Sequence, residues 1–204
     1  MPYPTRKIID KTMDGIVRAQ RDYKRMSGGY WLSEAPEYFA TTHVANEIST
    51  LKKKELFVTL EENVRQTVKD AGGSVRRRDL RRLQARADVV VWEGDVAKGV
   101  VEIKLMPTGF SSIRKDTGRV CSILQDENDL EFGLIAYYRS FANGAWKPAR
   151  QRLSDRITRI RGEARKFVEG KRGLHLQAFP AKTDEDIRTI GDSAWSVEVL
   201  KISR

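Results

Sequence analysis

The sequence predicts a mixed α/β (α+β) fold in which a mixed central β-sheet is flanked by helices. Amphipathic helical segments and short β-branched strands occur in an order that does not alternate regularly, unlike the order of a purely parallel fold. The chain of 204 residues is long enough to bury a core without disulfides. Its residues are 40% apolar and 32% charged, which argues against a membrane protein and against extensive disorder.

The N-terminal quarter of the chain is predicted to be helical. A basic arm over residues 1–30 contains one amphipathic segment, Ile8–Arg25. A second helix is predicted over Ser33–Lys52, because a serine at its start is a suitable N-cap and a proline follows in the first turn. We therefore assign residues 1–56 to an N-terminal helical extension that packs with the rest of the chain as one globular unit.

The middle of the chain is predicted to combine a helix with a β-hairpin. Apolar residues at helical spacing predict a helix over Thr59–Ala71, and Gly72-Gly73 ends it. Two β-branched runs, Ala87–Trp92 and Val96–Met106, are separated by Gly94-Asp95, a pattern typical of a hairpin. The remaining elements are a helix, a buried strand, a basic amphipathic helix and two final strands, over Ser111–Gln125, Phe132–Tyr138, Ser154–Glu169, Leu174–Phe179 and Trp195–Ile202.

Charge and cysteine content narrow the function. Lys and Arg number 38 against 28 Asp and Glu, and the resulting net charge of +10 favours a polyanionic partner such as nucleic acid. Many soluble domains are basic without such a partner. The single Cys121 excludes an internal disulfide and every multi-cysteine zinc site. Without an apolar run of about 18 residues or a secretory signal pattern, we expect no membrane association and a cytoplasmic location.

Three polar residues of the predicted hairpin carry the strongest chemical signal. Because side chains alternate along a strand, Glu102 and Lys104 share one face of an otherwise apolar strand. A three-residue connection would place Asp88 of the first strand opposite Glu102, whereas a two-residue connection would turn it to the other face. We therefore predict an odd-length connection, Gly94-Asp95-Val96.

Two facing carboxylates are the ligands that Mg²⁺ or Mn²⁺ prefers, together with main-chain carbonyl oxygens and waters. Lys104 beside such an ion is suited to orient or deprotonate a water, because a nearby cation lowers the pKa of an amine. A divalent ion also polarises a phosphodiester. The alternative is structural: Asp88 would bond to a loop, and Glu102 and Lys104 would form an ion pair on an exposed edge. The apolar neighbours of both runs argue against an exposed edge.

At these residues the chain resembles the PD-(D/E)xK nuclease superfamily, which has the restriction-endonuclease-like fold. An Asp leads one strand and Glu-x-Lys lies on the next, although Ala87 rather than proline precedes Asp88. The resemblance covers roughly residues 57–140 and implies that residues 57–204 form a nuclease-like domain. It implies Asp88, Glu102 and the Ile103 carbonyl as ligands of Mg²⁺ or Mn²⁺, with Lys104 acting on the attacking water.

The resemblance also implies a further acid from the helix before the strands. Glu61 is the first choice, with Glu62 and Glu37 behind it. Family members often place polar residues on the helix after the motif, which here are Asp116 and Arg119. Exposed surface residues are the simpler interpretation of both sets.

Two arginine-rich segments flank the predicted site in sequence and are candidates for binding the phosphates of DNA, with RNA not excluded. A solvated surface is again the alternative. The full set of residues expected to contact nucleic acid is Arg76, Arg77, Arg78, Arg81, Arg82, Asp116, Arg119, Arg152, Arg156 and Arg159. The rival functions are a non-cleaving nucleic-acid-binding module and a regulatory subunit of the same fold. The resemblance allows a homodimer or a partner subunit.

Overall fold

The structure, a computed structural model, describes residues 4–51, 55–74, 85–125, 128–142, 147–183 and 193–204. The helices within these residues are α1 (Thr5–Met26), α2 (Glu37–Ser49), α3 (Val64–Asp70), α4 (Phe110–Gln125) and α5 (Ala149–Glu169), with a 3₁₀ turn at Leu32–Glu34. The strands are β1 (Leu56–Asn63), β2 (Arg86–Glu93), β3 (Val96–Leu105), β4 (Phe132–Phe141), β5 (His175–Ala178), β6 (Lys182–Thr183) and β7 (Ala194–Ser203).

The strands form one seven-stranded mixed sheet in the order β1-β2-β3-β4-β7-β5, with β6 paired to β7. β1, β2 and β3 form an antiparallel meander, and β4 lies parallel to β3. The crossover between β3 and β4 contains α4, since a parallel connection needs a dozen or more residues. The predicted α/β (α+β) class with a mixed, helix-flanked sheet is confirmed.

Helices cover both faces of the sheet. α1 and α2 pack on one face, where Ile16 and Val44 share a hydrophobic cluster with Val101 of β3. α3, α4 and α5 pack on the other face, where Ile113 belongs to a second cluster. The two N-terminal helices cross closely at Gly15, because a Cβ there would lie 2.5 Å from the Val44 Cα. Residues 5–49 therefore share their core with the sheet.

The predicted helix over Thr59–Ala71 is wrong in its first half. Leu56–Asn63 forms strand β1, which pairs along its length with β2. Side chains reinforce the pairing, since Phe57 stacks on Trp92 at 5.8 Å and the Trp92 Nε1–H donates to Thr59 Oγ1 at 2.8 Å. Pairing with a neighbouring strand outweighs local helix propensity here.

The hairpin connection also differs from the prediction. Glu93 pairs with Val96, so the turn has two residues, Gly94 and Asp95, rather than three. Val91 pairs with Gly99 while Trp92 pairs with Ala97, which leaves one extra β3 residue, Lys98, as a β-bulge. The bulge shifts the register by one residue and restores the parity that the short turn removed. Beyond it Val89 pairs with Val101, and the same register sets Asp88 opposite Glu102.

Most other predicted elements lie where expected, with shifted ends. α1 and α4 match their predicted ranges to within a few residues, whereas α2 begins only at Glu37, after Pro36, and α5 begins earlier, at Ala149. The segment that carries Arg76, Arg77, Arg78, Arg81 and Arg82 lies outside the described residues. Among the helices that the structure describes, none has the length and apolar character needed to cross a membrane.

Candidate active site

The predicted hairpin residues meet other polar side chains at one end of the sheet. This is the end where β1 and β3 finish and β2 begins, because β2 runs antiparallel to both. The polar residues gathered here come from five elements and are Glu37 (α2), Glu61 (β1), Asp88 (β2), Glu102 and Lys104 (β3), and Asp116 and Arg119 (α4). We call this set the acidic site.

Asp88 lies where the pairing between β2 and β3 ends. Its Oδ2 accepts a hydrogen bond from the Ile103 main-chain N–H at 2.6 Å. The N–H and C=O of one strand residue point to the same side of the strand, so the Ile103 carbonyl also faces β2. Asp88 therefore satisfies a donor that the sheet leaves free, and it brings its carboxylate beside a main-chain carbonyl.

Glu102 forms a buried ion pair with Arg119. The two side chains belong to residues that are only 3% and 8% exposed. Arg119 donates from Nε to Glu102 Oε1 at 2.9 Å and from Nη2 to Oε2 at 2.6 Å, a bidentate arrangement. Its Nη2 also donates to Asp116 Oδ1 at 2.9 Å. Arg119 therefore links two carboxylates of the acidic site.

Glu37 holds Lys104. The Lys104 Nζ donates to Glu37 Oε1 at 2.9 Å, and Glu37 Oε2 accepts from the Leu105 main-chain N–H at 3.1 Å. Asp116 Oδ2 lies 4.0 Å from the same Nζ. Burial lowers the pKa of Lys104, but the hydrogen bond with Glu37 and the charges of Glu37 and Asp116 outweigh that effect, so the pKa is raised. Lys104 is therefore a protonated donor in this arrangement, not a base.

Burial and mutual repulsion disfavour the ionised form of two carboxyl groups in the acidic site, Asp88 and Glu102. Burial raises the pKa of Asp88 to about 6, although the hydrogen bond from the Ile103 N–H opposes the rise. The negative charges of Glu37, Glu61 and Asp116 add to it. Burial likewise raises the pKa of Glu102, while the two bonds from Arg119 oppose the rise. Five carboxylates face only two cations in this set, which leaves a formal excess of three negative charges when all are ionised. Such an excess in a half-buried site favours a bound cation.

The present arrangement offers a divalent ion only part of its ligands. The described residues contain no three His, Cys, Asp or Glu side chains spaced as ligands of one ion. Asp88 uses one carboxylate oxygen for Ile103, which leaves the other for an ion. Both oxygens of Glu102 are taken by Arg119, which also contacts Asp116 and can pair with it instead. Asp88, Glu102 and the Ile103 carbonyl are oxygen donors of the kind that Mg²⁺ or Mn²⁺ prefers, but Glu102 could bind an ion only if it released Arg119.

The acid that joins the predicted triad differs from the first choice of sequence reasoning. Glu37, the third choice, contacts Lys104 directly. Glu61 lies on a strand rather than a helix, between Leu60 and Glu62, which pair with the β2 residues on either side of Asp88. Its backbone φ of 53° is left-handed, which is uncommon for a residue other than glycine. Glu62 is half-buried.

The arginines expected on the nucleic-acid surface divide into two groups. Arg119 and Asp116 belong to the acidic site, and Arg119 is too buried to contact a phosphate from solution. On α5, Arg159 is exposed and pairs with Glu163, whereas Arg152 and Arg156 are half-buried.

Sequence reasoning missed Arg139, which lies beside Arg152 and Arg156. The available signal was that Arg139 is the one charged residue in the β4 segment Phe132–Phe141. A cation in an otherwise apolar, buried strand needs a reason to be there.

A groove of about 410 Å³ lies where β3 and β4 end, at Met106 and Ser140. It is lined in part by Tyr30, Trp31, Met106 and Ser140. Met106 directly follows β3, and Tyr30 is 65% exposed. Aromatic side chains of this kind stack on unpaired bases.

No family model, curated protein or solved structure matches the chain.

Proposed function

We propose that this chain is a nuclease that hydrolyses phosphodiester bonds of DNA with Mg²⁺ or Mn²⁺. One observation carries the proposal: Asp88, Glu102, Lys104 and Glu37 converge at one end of the sheet with more carboxylates than cations. A half-buried site with that charge is suited to a divalent ion, and an ammonium beside it is suited to an oxyanion or a water.

The topology supports the resemblance to the PD-(D/E)xK superfamily. Its core runs helix, strand meander, helix, strand. The chain has α2, then β1, β2 and β3 with the short helix α3 between β1 and β2, then α4 and a parallel β4. The helix that precedes the meander is α2, not the helix expected over Thr59–Ala71. Glu37 is the first residue of α2 and lies in the acidic site, as the family pattern implies for an acid of that helix.

Each residue of the acidic site has a role in this proposal. Asp88, Glu102 and the Ile103 carbonyl would hold the ion, which polarises the phosphodiester and stabilises developing charge when bound. Lys104 orients the attacking water and donates a hydrogen bond to the phosphate oxygens. Glu37 positions Lys104 through the 2.9 Å contact. Arg119 would compensate the charge of Glu102 before an ion binds, and the charge of Asp116 once an ion has taken its place at Glu102.

The alternative of a non-cleaving binding module rests on one specific observation. Arg119 occupies both oxygens of Glu102, and a permanent pair of this kind would prevent Glu102 from binding an ion. Such a chain would still bind nucleic acid through its arginines. The two functions therefore differ in whether Arg119 leaves Glu102 when an ion is offered.

A cleavage assay tests the proposal. Supercoiled plasmid, single-stranded DNA and RNA are each incubated with the protein in Mg²⁺, Mn²⁺ or EDTA. We expect metal-dependent cleavage of DNA by the wild type and none by Asp88→Ala or Lys104→Ala. The matched control is Lys98→Ala, because Lys98 lies on the same strand but at its distal end, 4.0 Å from Glu131. Binding without cleavage by the wild type under every condition would establish the alternative.

A further inference from the structure

Three arginines converge at the end of β4 and the start of α5. The guanidinium centres of Arg139 and Arg152 lie 4.5 Å and 4.9 Å from the centre of the Phe141 ring. Arg156 follows Arg152 by one helical turn and therefore lies on the same side of α5. Burial and the charge of Arg156 both lower the pKa of Arg139, which places the two cations close together. We call this set the arginine cluster.

The described residues do not neutralise the arginine cluster. Arg139 Nη1 donates to the Met106 carbonyl at 3.2 Å, and Arg152 Nη2 donates to the Ala142 carbonyl at 2.6 Å. Within the described part of the chain, none of the three arginines pairs with a carboxylate. Asp155, which lies between Arg152 and Arg156 in sequence, pairs instead with Lys147 at 3.3 Å.

Two donors in the arginine cluster are buried and unused. The Nε atoms of Arg139 and Arg152 are buried and find no hydrogen-bond partner among the described residues. Natural proteins rarely leave such donors unsatisfied, and an unpaired, partly desolvated cation is unfavourable. By contrast, Arg159 and Arg165 of α5 pair with Glu163 and Glu169. Three charges without a carboxylate partner among the described residues, rather than the two buried Nε atoms, give the arginine cluster the properties of a site that is completed by an external anion.

The chemistry and position of the cluster indicate which anion. Guanidinium groups bind phosphate oxygens through paired N–H donors, and three of them suit a phosphodiester. Lys104 of β3 pairs with Tyr137 of the parallel β4, and Arg139 lies two residues further along β4. The Cα atoms of Lys104 and Arg139 are therefore about 8 Å apart, from strand spacing and rise. The rise of about 3.4 Å per nucleotide in B-DNA is measured along the helix axis, and the winding of the strand sets neighbouring phosphates further apart, so this separation corresponds to about one nucleotide step.

We propose that Arg139, Arg152 and Arg156 form a phosphate-binding site that holds the nucleic-acid backbone within about one or two nucleotides of the bond cut at the acidic site. Its position relative to the cut rests on the proposed nuclease function, whereas its affinity for nucleic acid does not. The site would fix the register of the strand on the protein without reading its sequence.

A binding measurement in EDTA tests the site separately from cleavage. The probe is a fluorescent 20-base-pair DNA duplex, titrated at several salt concentrations against wild type, Arg156→Gln and Arg165→Gln. Both substitutions remove one positive charge from α5, but Arg165 already pairs with Glu169. We expect Arg156→Gln to weaken binding about tenfold, from the loss of a charged hydrogen bond. The slope of log affinity against log salt should fall by about 0.9.

Arg165→Gln should change the affinity less than about twofold, because Arg165 is exposed and its charge is already paired with that of Glu169. Arg152→Gln serves as a second variant, and the melting temperature of each variant shows that it is folded. Equal losses for Arg156→Gln and Arg165→Gln would overturn the inference, as would an unchanged salt slope. Cleavage by the wild type with equal losses would refute the site alone, whereas a loss specific to Arg156→Gln without any cleavage would refute the nuclease proposal alone.

Discussion

Two buried glutamate–arginine pairs lie on the same face of the sheet, and they differ in what surrounds them. Glu102 of β3 pairs with Arg119 of α4, and Glu198 of β7 pairs with Arg161 of α5. Both glutamates are almost inaccessible, at 3% and 0% exposed. Burial raises the pKa of both carboxyls, while the neighbouring guanidinium group in each pair opposes the rise. The two glutamates are therefore alike in burial and in the direction of their pKa shifts.

Their neighbours separate them. Glu198 also accepts from Ser196 Oγ at 2.9 Å, and Arg161 also donates to the Phe179 carbonyl at 3.1 Å, so that pair is complete in itself. Glu102 and Arg119 lie among further carboxylates, of which Asp88 and Asp116 act on the pKa of Glu102. A surplus of carboxylates, rather than a buried ion pair, therefore distinguishes a candidate metal site from a structural contact.

The largest expected difference between the two pairs is in catalysis. Glu102→Gln should lower the cleavage rate about 10³-fold, because it removes a proposed metal ligand. Glu198→Gln should change the rate less than about threefold, since its contacts serve packing. Single-turnover cleavage of plasmid DNA well below the melting temperature measures both. Equal losses for the two variants would remove the functional distinction between the pairs.

Stability should show the opposite ranking. Glu198→Gln removes the only carboxylate shown to pair with Arg161, and we expect the free energy of unfolding to fall by about 3 kcal/mol. Glu102→Gln should cost only about 1 kcal/mol, because Arg119 keeps Asp116 as its partner. Urea denaturation in EDTA gives both values. A larger loss for Glu102→Gln would show that the Glu102 pair is the more important one for the fold.

The raised pKa of Asp88 should make the stability of the metal-free protein depend on pH. Because burial raises the folded-state pKa from 3.8 to about 6, ionisation of Asp88 costs stability as pH rises through that interval. Asp88→Asn should therefore stabilise the metal-free protein by about 2 kcal/mol at neutral pH, and the gain should disappear below about pH 4. Urea denaturation in EDTA across this range measures it. Asp95→Asn, in the exposed hairpin turn, is the matched control for the removal of one carboxylate from the same hairpin.

A divalent ion should reverse that effect. At a Mg²⁺ concentration about ten times the dissociation constant, the wild type should gain about 1.4 kcal/mol of stability. Asp88→Asn should gain nothing, while Glu198→Gln should gain as much as the wild type, since its site is intact. Thermal melts with and without Mg²⁺ make the comparison. A gain retained by Asp88→Asn would place the ion elsewhere on the protein.

The sequence predicted the local part of the site but not its long-range part. Asp88, Glu102 and Lys104 belong to one hairpin, so strand alternation and antiparallel pairing predicted that they meet. The register was predicted from a three-residue turn, whereas the structure reaches it through a two-residue turn and the bulge at Lys98. Glu37 is 67 residues from Lys104 in sequence, and no local pattern reports that contact. β1 was missed because its residues combine helical spacing of apolar side chains with strand propensity, and only the pairing with β2 decides between them.

The bulge at Lys98 has a consequence for how this chain can change during evolution. The hairpin holds Asp88 and Glu102 on the same face with a two-residue turn and one extra residue. Loss of Lys98 would leave a regular two-residue hairpin in which Trp92 still pairs with Ala97 and Val91 with Gly99, so Asp88 would still lie opposite Glu102. A residue inserted into the turn would likewise lengthen the loop without changing those pairs, whereas a slip of one strand against the other by one residue would turn Asp88 to the opposite face. Single insertions and deletions at the turn or the bulge are therefore compatible with the site, and hairpins of different length can carry it.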